Sequence, residues 1–408
     1  MAAADANRID RGDLEVIDTI DGLDEAIGRL AAGEGPVAID TERASGYRYS
    51  DRAYLVQIFR RGSGTMLLDP IPFGTLAPIA EVIADEEWIL HAATQDIPCM
   101  REIDLHPKRL FDTELASRLL GKSHVGLGAV VEELLGIELA KAHSADDWSQ
   151  RPLPESWLAY AALDVEHLVD VRDLLAAELL EANKAEWAAE EFDDILGRSF
   201  EQDRSERWRR LSGLHALRSP RQLAVARELW RARDAYAQET DIAPGRLVPD
   251  RALTAAARML PRTKAQLAAS KEFTGRASRS ELDRWWAAIE LGRETTDLPP
   301  RSLNDPDRLP PPKAWAAKNP AADARLKVAR PAVAEIAETI SMPTENLLTP
   351  SFLRRAAWEP AGLTTDALAR QLRDLGARQW QTSLTAPVIA TAFVEADQAV
   401  QDSLPSDG

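Results

Sequence analysis

The chain of 408 residues contains one cysteine, Cys99, and no long apolar run. A single cysteine excludes an internal disulfide and a cysteine-based zinc site, and its apolar neighbours predict a packed thiol. No stretch reaches the roughly 20 apolar residues that a membrane-spanning helix needs. The first residues are polar and acidic, unlike the basic and then apolar start of a secretory signal. We therefore expect a cytoplasmic protein without a membrane segment.

Positive charge is also scarce, since 66 acidic residues outnumber 49 basic ones and the formal net charge is −17. This balance argues against a nucleic-acid partner, because phosphate binding depends on Lys and Arg. The charge is uneven, however. Residues 1–204 carry 41 acidic and 19 basic residues, residues 205–293 carry 10 and 18, and residues 294–408 carry 15 and 12. One segment is therefore basic within an acidic chain.

The length predicts two or three domains. Residues 36–70 contain three strand patterns with short links, which favours antiparallel pairing, and later short apolar runs alternate with helical periods. Strands that alternate with helices indicate an α/β domain. Beyond about residue 200 the spacing is helical, and the proline-dense residues 298–312 suit an extended linker. Two helical stretches about 100 residues apart are weakly alike, which suggests a repeat.

Five side chains could carry chemistry. Asp40 and Glu42 end an apolar strand and share one face of it, so a bound cation would relieve their repulsion. Asp96 follows a later strand, and Tyr160 and Asp164 lie four residues apart on one helix face. Each group alone also has a purely structural explanation. Asp40 and Glu42 could be solvated surface acids, Asp96 a charge at a helix start, and Tyr160 a core aromatic beside a solvated Asp164. Their combination is more specific than any one of them.

In this order, the motifs resemble those of the DEDD exonuclease superfamily, in its tyrosine subclass. Further segments resemble the ribonuclease D family: LVQI at 55–58, LFDTELASRLLG at 110–121 and SADDWSQRPLP at 144–154. The helical stretches resemble the tandem helicase-and-RNase-D C-terminal (HRDC) domains of that family. Two departures, HAATQD in the second motif and Glu114 where Gln is frequent, remove no carboxylate ligand.

The resemblance implies an α/β ribonuclease H-like exonuclease domain with a mixed sheet whose first strands are antiparallel, followed by two all-α HRDC-like domains. The expected boundaries are 1–204 for the exonuclease domain, 205–293 for the first, basic helical domain, 294–326 for a proline-rich linker, and 327–408 for the second helical domain with a disordered tail.

The resemblance also implies a 3′-5′ exoribonuclease that trims RNA with a free 3′ end, such as tRNA precursors, to nucleoside 5′-monophosphates. Two divalent ions, Mg²⁺ or Mn²⁺, would be the cofactors. Asp40 would bridge both ions, Glu42 and Asp164 would complete the first, and Asp96 would serve the second. Tyr160 would orient the attacking water, because its ordinary pKa of about 10 makes it a weak base. No protein partner is implied.

Candidate RNA contacts lie in both domains. Those in the exonuclease domain are Gln57, His91 and Lys141, and those in the basic segment are Arg246, Arg251 and Arg258, with Arg227, Arg231 and Lys264 beside them. These arginines could equally form a solvated face, and RNA would then be held near Arg43, Lys141 and Arg151. Two other functions stay open: a DNA exonuclease of the same superfamily, although the sequence has no phosphate-binding GxxxxGK[ST] loop, and a non-catalytic RNA-binding protein, although all four acids are present.

Overall fold

A computed structural model describes residues 14–139, 145–200, 205–302 and 308–402. In the first domain, the described residues form a six-stranded sheet. The strands are β1 (Val16–Ile17), β2 (Glu34–Arg43), β3 (Ala53–Arg61), β4 (Gly64–Leu68), β5 (Trp88–Leu90) and β6 (Leu110–Asp112). Their order across the sheet is β1-β4-β3-β2-β5-β6.

The sheet is mixed, as expected. The strands β2, β3 and β4 pair antiparallel, whereas β1 with β4, β2 with β5 and β5 with β6 pair parallel. The three predicted strands of residues 36–70 and the two later ones are present. The two-residue β1 was not predicted, because so short a strand has no periodicity of its own and exists only through its pairing with β4.

Helices cover both faces of this sheet. They are α1 (Ile20–Ala32), α2 (Ala77–Val82), α3 (Ile97–Arg101), α4 (Thr113–Leu119), α5 (Leu127–Leu135), α6 (Glu155–Glu166), α7 (Leu168–Glu181) and α8 (Ala185–Gly197). Helix α6 packs across β2, β3 and β4. Its Leu158, Ala161 and Ala162 join a buried apolar cluster with Leu55 of β3 and Leu67 of β4. These contacts fix α6 over the end of β2 that carries the candidate carboxylates.

The remaining domains are helical. The first has α9 (Pro220–Thr240), α10 (Pro244–Leu247), α11 (Asp250–Met259), α12 (Lys264–Ala268), α13 (Arg276–Ser280) and α14 (Leu282–Glu294). The second has α15 (Trp315–Lys318), α16 (Pro320–Thr339), α17 (Thr344–Leu347), α18 (Pro350–Trp358), α19 (Thr365–Asp374) and α20 (Gln379–Asp402). Short 3-10 turns lie at Arg207–Arg210, Leu214–Ala216 and Pro312–Ala314.

The suspected repeat is visible in the order of these helices. In each unit a long helix is followed by a four-residue helix and then by a third helix, α9 to α11 in one and α16 to α18 in the other. In the first unit the Ser219 side chain caps α9 and Pro220 occupies its first position, which is a common way for a helix to begin. Among the described helices, none combines the length and apolar character needed to cross a bilayer.

The boundary between linker and second helical domain differs from the expected residue 326. Helix α16 already begins at Pro320 and is capped by the Asn319 side chain, and Trp315 just before it is fully buried. An asparagine followed by proline is itself a helix-start signal, which the proline density of the preceding stretch obscured. Helix α20 extends to Asp402, and the rest of the predicted disordered tail lies outside the described residues.

The two helical domains attach to the exonuclease domain differently. The second shares one continuous apolar core with it, whereas the first has a core of its own. Trp187 of α8 stacks on Trp380 at a ring-centroid distance of 5.0 Å, and Arg378 binds Glu191 of α8 at 2.6 Å. The buried Lys184 ammonium donates hydrogen bonds to two backbone carbonyl oxygens, both at 2.6 Å. One belongs to Leu119 at the end of α4 and the other to Ile340 at the end of α16. The second helical domain is therefore part of the exonuclease body.

We expect Glu191→Ala to lower the free energy of unfolding by about 3 kcal/mol, because the largely buried Arg378 charge then keeps only its longer contact with Asp194, at 3.3 Å. The same substitution removes the acceptor of the Trp380 indole N–H. Urea unfolding followed by circular dichroism measures the loss. As a control, Asp170→Ala breaks an exposed pair with Arg61 and should cost less than about 1 kcal/mol. Equal losses in both variants would contradict the structural role of the Glu191 pair.

Candidate functional site

The end of β2 presents the first two acids. Asp40 lies opposite Gln57 and Glu42 opposite Leu55 in the antiparallel pairing with β3, so both carboxylates are on the face that α6 covers. On its other side β2 pairs with β5 only at Val37 and Ala38. The segment of β2 that carries the acids therefore runs past β5, which leaves room beside it for the chain that follows β5.

Helix α6 brings the next two side chains to the same place. Tyr160 and Asp164 lie one turn apart on this helix, and the Tyr160 hydroxyl donates a hydrogen bond to the Asp164 carboxylate. Oxygen atoms of Asp40, Glu42 and Asp164 all lie within 4.8 Å of one another. Three of the four predicted metal ligands thus form one compact cluster, with the phenol at its edge.

Asp96 approaches from the loop after β5. Its carboxylate accepts a hydrogen bond from the Thr41 hydroxyl at 2.7 Å, and its side chain is only 5% exposed. The turn that delivers it includes Ala92 with φ 63°, and Asp112 holds this turn by accepting the Ala92 and Ala93 amides at 3.1 and 2.8 Å. Asp96 lies outside the three-acid cluster but close enough to raise the pKa of Asp40.

The acids perturb one another strongly. Burial, and then repulsion by Asp96, Asp164 and Glu42, raises the pKa of Asp40 well above its ordinary value. Burial and the same kind of repulsion raise the pKa of Glu42 to about 9, and burial raises the pKa of Asp164 to about 7. Burial raises the pKa of Asp96 to about 6, against the opposing effects of its Thr41 hydrogen bond and of Arg43. Protein groups alone therefore do not neutralise this site.

The arrangement fits divalent cations. Burial and mutual repulsion disfavour several carboxylates in one small volume unless a cation lies among them. The donors are all carboxylate oxygens, which hard ions such as Mg²⁺ and Mn²⁺ prefer over sulfur or imidazole. Cys99 lies nearby but is not a ligand candidate, because burial raises the pKa of its thiol to about 12. The packed thiol predicted from the sequence is confirmed.

Among the described residues, the structure does not place the predicted RNA contacts of the exonuclease domain on an accessible, unpaired surface. Gln57 is fully buried with both polar atoms of its amide unpartnered among the described residues, so it has no access to RNA in this structure. His91 bonds Thr113 at 2.9 Å, and burial lowers its pKa to about 4, so it is neutral at pH 7. Lys141 lies outside the described residues. Arg151 pairs with Asp69 at 2.6 Å and thus has a structural task.

Among the basic-segment candidates, several are already paired. Arg227 and Arg231 both bind Glu228, at 2.8 and 3.0 Å, and Lys264 binds Asp283. These ion pairs favour the interpretation that this part of α9 and its neighbours forms a solvated protein surface, and not an RNA contact.

The other three candidates differ in location. Arg251 and Arg258 are exposed, and Arg251 is 3.7 Å from Glu272. Arg246 instead reaches the exonuclease domain, where its Nε donates to the Gly46 carbonyl at 2.7 Å and its guanidinium lies 3.8 Å from the centre of the Tyr47 ring.

Sequence reasoning missed the supporting residues Thr41 and Asp112 and the arginines of the loop after β2. Thr41 points away from Asp40 along the strand, and only the fold shows that Asp96 arrives on that side. A local signal did exist for the loop, because ERASGYRYSDR at 42–52 combines arginines and tyrosines directly after the Asp40 and Glu42 motif.

Three family models match successive parts of the chain. Residues 14–180 match a 3′-5′ exonuclease, residues 222–289 match the HRDC domain, and residues 308–393 match a 3′ to 5′ exonuclease C-terminal domain. The last range starts inside the stretch expected to be linker, in agreement with the early start of the second helical domain.

Known proteins match over most of the chain. Ribonuclease D of Pseudomonas paraeruginosa is 34% identical over 322 residues, which cover 78% of this chain and 82% of that protein. The crystal structure of a protein from Bifidobacterium adolescentis is 36% identical, with a TM-score of 0.83 and coverage of 93% of this chain and 97% of the other. Escherichia coli RNase D, described as an exoribonuclease involved in structured RNA processing, has the same fold at 24% identity and a TM-score of 0.66, covering 88% and 98%.

The raised pKa of Glu42 predicts an unusual pH dependence of stability without metal. Because the folded protein keeps a proton that the unfolded chain loses above about pH 4.5, stability should fall as the pH rises from about 4.5 to about 9. Glu42→Gln removes this contribution. The melting temperature of wild type in EDTA, relative to that of Glu42→Gln, should therefore decrease across this range.

Adding Mg²⁺ should raise the melting temperature of wild type more than that of Glu42→Gln, since a cation that binds only the folded state stabilises it by mass action. A difference between wild type and variant that stays constant over pH, with and without Mg²⁺, would show that the pKa of Glu42 is not raised and that Glu42 binds no cation.

Proposed function

This chain belongs to the ribonuclease D family, and we propose that it is a 3′-5′ exoribonuclease that hydrolyses RNA to nucleoside 5′-monophosphates. The observation that carries the proposal is the compact cluster of Asp40, Glu42 and Asp164 beneath α6, with Asp96 beside it. Like charges are concentrated there at the expense of stability, as is common at sites built for function rather than folding.

The four acids would hold two divalent ions, Mg²⁺ or Mn²⁺. Asp40 suits the bridging position, because it interacts electrostatically with all three other acids. Glu42 and Asp164 share its cluster and would complete the first site, and Asp96, held by Thr41, would serve the second. When bound, such ions supply positive charge to the scissile phosphate and lower the pKa of the attacking water.

Tyr160 has a positioning task in this scheme. Burial, and then the nearby acids, raises the pKa of its phenol further above the ordinary value, so the hydroxyl stays protonated at neutral pH. A protonated phenol cannot take up the proton of the attacking water. It can orient that water by hydrogen bonding, while its own bond to Asp164 fixes the position of the hydroxyl.

The expected substrate is RNA with a free 3′ end, including tRNA precursors that carry extra 3′ nucleotides, and the expected location is the cytoplasm. The direction of attack is tested by incubating RNA labelled at the 5′ or the 3′ end, with and without Mg²⁺. Stepwise shortening of 5′-labelled RNA and immediate release of a 3′-labelled mononucleotide would support the proposal. Attack from the 5′ end, or faster digestion of a matched DNA strand, would overturn it.

We expect Asp40→Asn and Asp164→Asn each to abolish Mg²⁺-dependent hydrolysis, because each removes one anionic ligand with little change in volume. The variants should melt no lower than wild type in EDTA, since each also removes repulsion within the cluster. Asp170→Asn, on α7 and outside the cluster, is the matched control. Full activity of either variant at saturating Mg²⁺ would rule out this ligand set.

Tyr160→Phe should lower kcat by a factor of roughly 10²–10³, the usual size of effect for one positioning group, with little change in RNA affinity. The ring remains, so packing of α6 should be preserved. Single-turnover kinetics measures the chemical step, and Tyr236→Phe, in the first helical domain, controls for loss of a hydroxyl elsewhere. A decrease of less than about threefold would identify Tyr160 as a packing residue.

A further inference from the structure

Two adjoining cavities lie between the exonuclease domain and the first helical domain. The inner one, about 720 Å³, is bordered by Arg43 and Gln95, which are the sequence neighbours of Glu42 and Asp96. The outer one, about 650 Å³, lies between the loop at 46–51 and helices α9 and α10. Tyr49, Asp51 and Arg207 line both cavities, which therefore form one path. Arg43 at its inner end lies close enough to the carboxylate cluster to lower the pKa of Glu42 and of Asp96.

The charges along this path are unequal. The inner cavity is lined by three arginines and three acids, and its Asp241 is engaged by the Ser50 amide at 2.9 Å and the Tyr54 hydroxyl at 3.2 Å. The outer cavity is lined by four arginines, Arg48, Arg207, Arg210 and Arg246, and by two acids, Asp51 and Asp234. The outer cavity is therefore the positive part of the path, and it lies farther from the acids of the candidate metal site.

Several donors in the outer cavity remain available. Arg210 makes no hydrogen bond or ion pair with the described residues, although acids lie on the same cavity wall. Arg246 uses its Nε for the Gly46 carbonyl, and Arg48 uses its Nε for Ser149 at 2.7 Å, so the terminal guanidinium nitrogens of both have no bond to the described residues. Trp230 is half-buried and adds an indole to the wall.

We propose that the outer cavity binds the backbone of a single RNA strand upstream of its 3′-terminal nucleotide, which itself lies at the carboxylate cluster. This inference rests on the proposed function. Arginines that contact phosphates, together with an aromatic face on which a base stacks, are the recurring elements of single-strand binding. Volumes of this size suit small organic ligands, so the path accommodates a few nucleotides rather than a long segment.

The proposal moves the RNA surface away from Arg251 and Arg258, which line neither cavity. It also makes the exonuclease domain a contributor, through Arg48 on the loop that follows β2. The competing explanation is that the cavity arginines serve only to dock the two domains. The unpaired state of Arg210 among the described residues argues against it, because a docking arginine would bind one of the facing acids.

The test compares Arg210→Ala/Arg246→Ala with Arg251→Ala/Arg258→Ala, which removes the same charge from the same domain outside the cavities. RNA binding is measured over a salt series in Ca²⁺, so that no hydrolysis is needed. Each lost phosphate contact on a single strand reduces the slope of log affinity against log salt by about 0.7, so we expect a reduction of about 1.4 for the cavity pair and little change for the control pair. Circular dichroism and melting curves verify that both variants fold.

Hydrolysis gives a second readout. In wild type, kcat/KM should rise between a dinucleotide and a strand of several nucleotides, and this rise should shrink by about tenfold per lost arginine in the cavity variant. An unchanged salt slope, or an equal change in both variants, would overturn the proposal. Loss of activity on both substrates with an unchanged slope would do so as well, because the arginines would then act only by docking. Absence of hydrolysis by wild type would instead overturn the proposed function, while the salt slopes would still decide where RNA binds.

Discussion

Repulsion among buried carboxylates is the constraint around which this protein is organised. Asp40, Glu42 and Asp164 lie within 4.8 Å of one another, at a place where burial raises the pKa of each. A loop could not hold such a group, because it would move until the charges separated. The fold prevents this by placing two of the acids on a strand with long antiparallel pairing to β3 and the third on a helix packed across three strands. The sheet and α6 thus supply the rigidity that the site requires.

The two helical domains have different roles around this site. The second one completes the apolar core of the exonuclease domain through α8, so it stabilises the body that holds the acids. The first has a separate core and meets the exonuclease domain through polar contacts, such as Ala243 N–H to Tyr47 C=O at 2.9 Å and the bonds to Asp241. A closely packed apolar interface would exclude water and leave no cavity between the two domains. The polar interface leaves the two cavities, where the proposed RNA strand would lie.

The parts of the site that were predictable from the sequence are those whose geometry is local. Asp40 and Glu42 share a face because strands have a period of two, and Tyr160 and Asp164 share one because helices repeat near four residues. The arginines were not predictable in this way, because their roles depend on distant partners. Arg227 binds Asp297, which is seventy residues away along the chain. Arg210 lines the outer cavity and binds none of the described acids. Composition located the basic segment, but only the fold showed which of its faces meets the exonuclease domain.

The net charge of −17 is compatible with an RNA substrate for a related reason. At physiological ionic strength the screening length is about 8 Å, so acids elsewhere on the surface have little influence at the outer cavity, where four arginines face two acids. The carboxylate cluster is different, because it lies at the inner end of the path and would repel a phosphate while its own charge is uncompensated. Bound cations would reverse the sign of the local field. In the proposed binding mode the arginines would attract the strand at a distance from the cluster, and its 3′ end would be accepted only after cations had neutralised the acids.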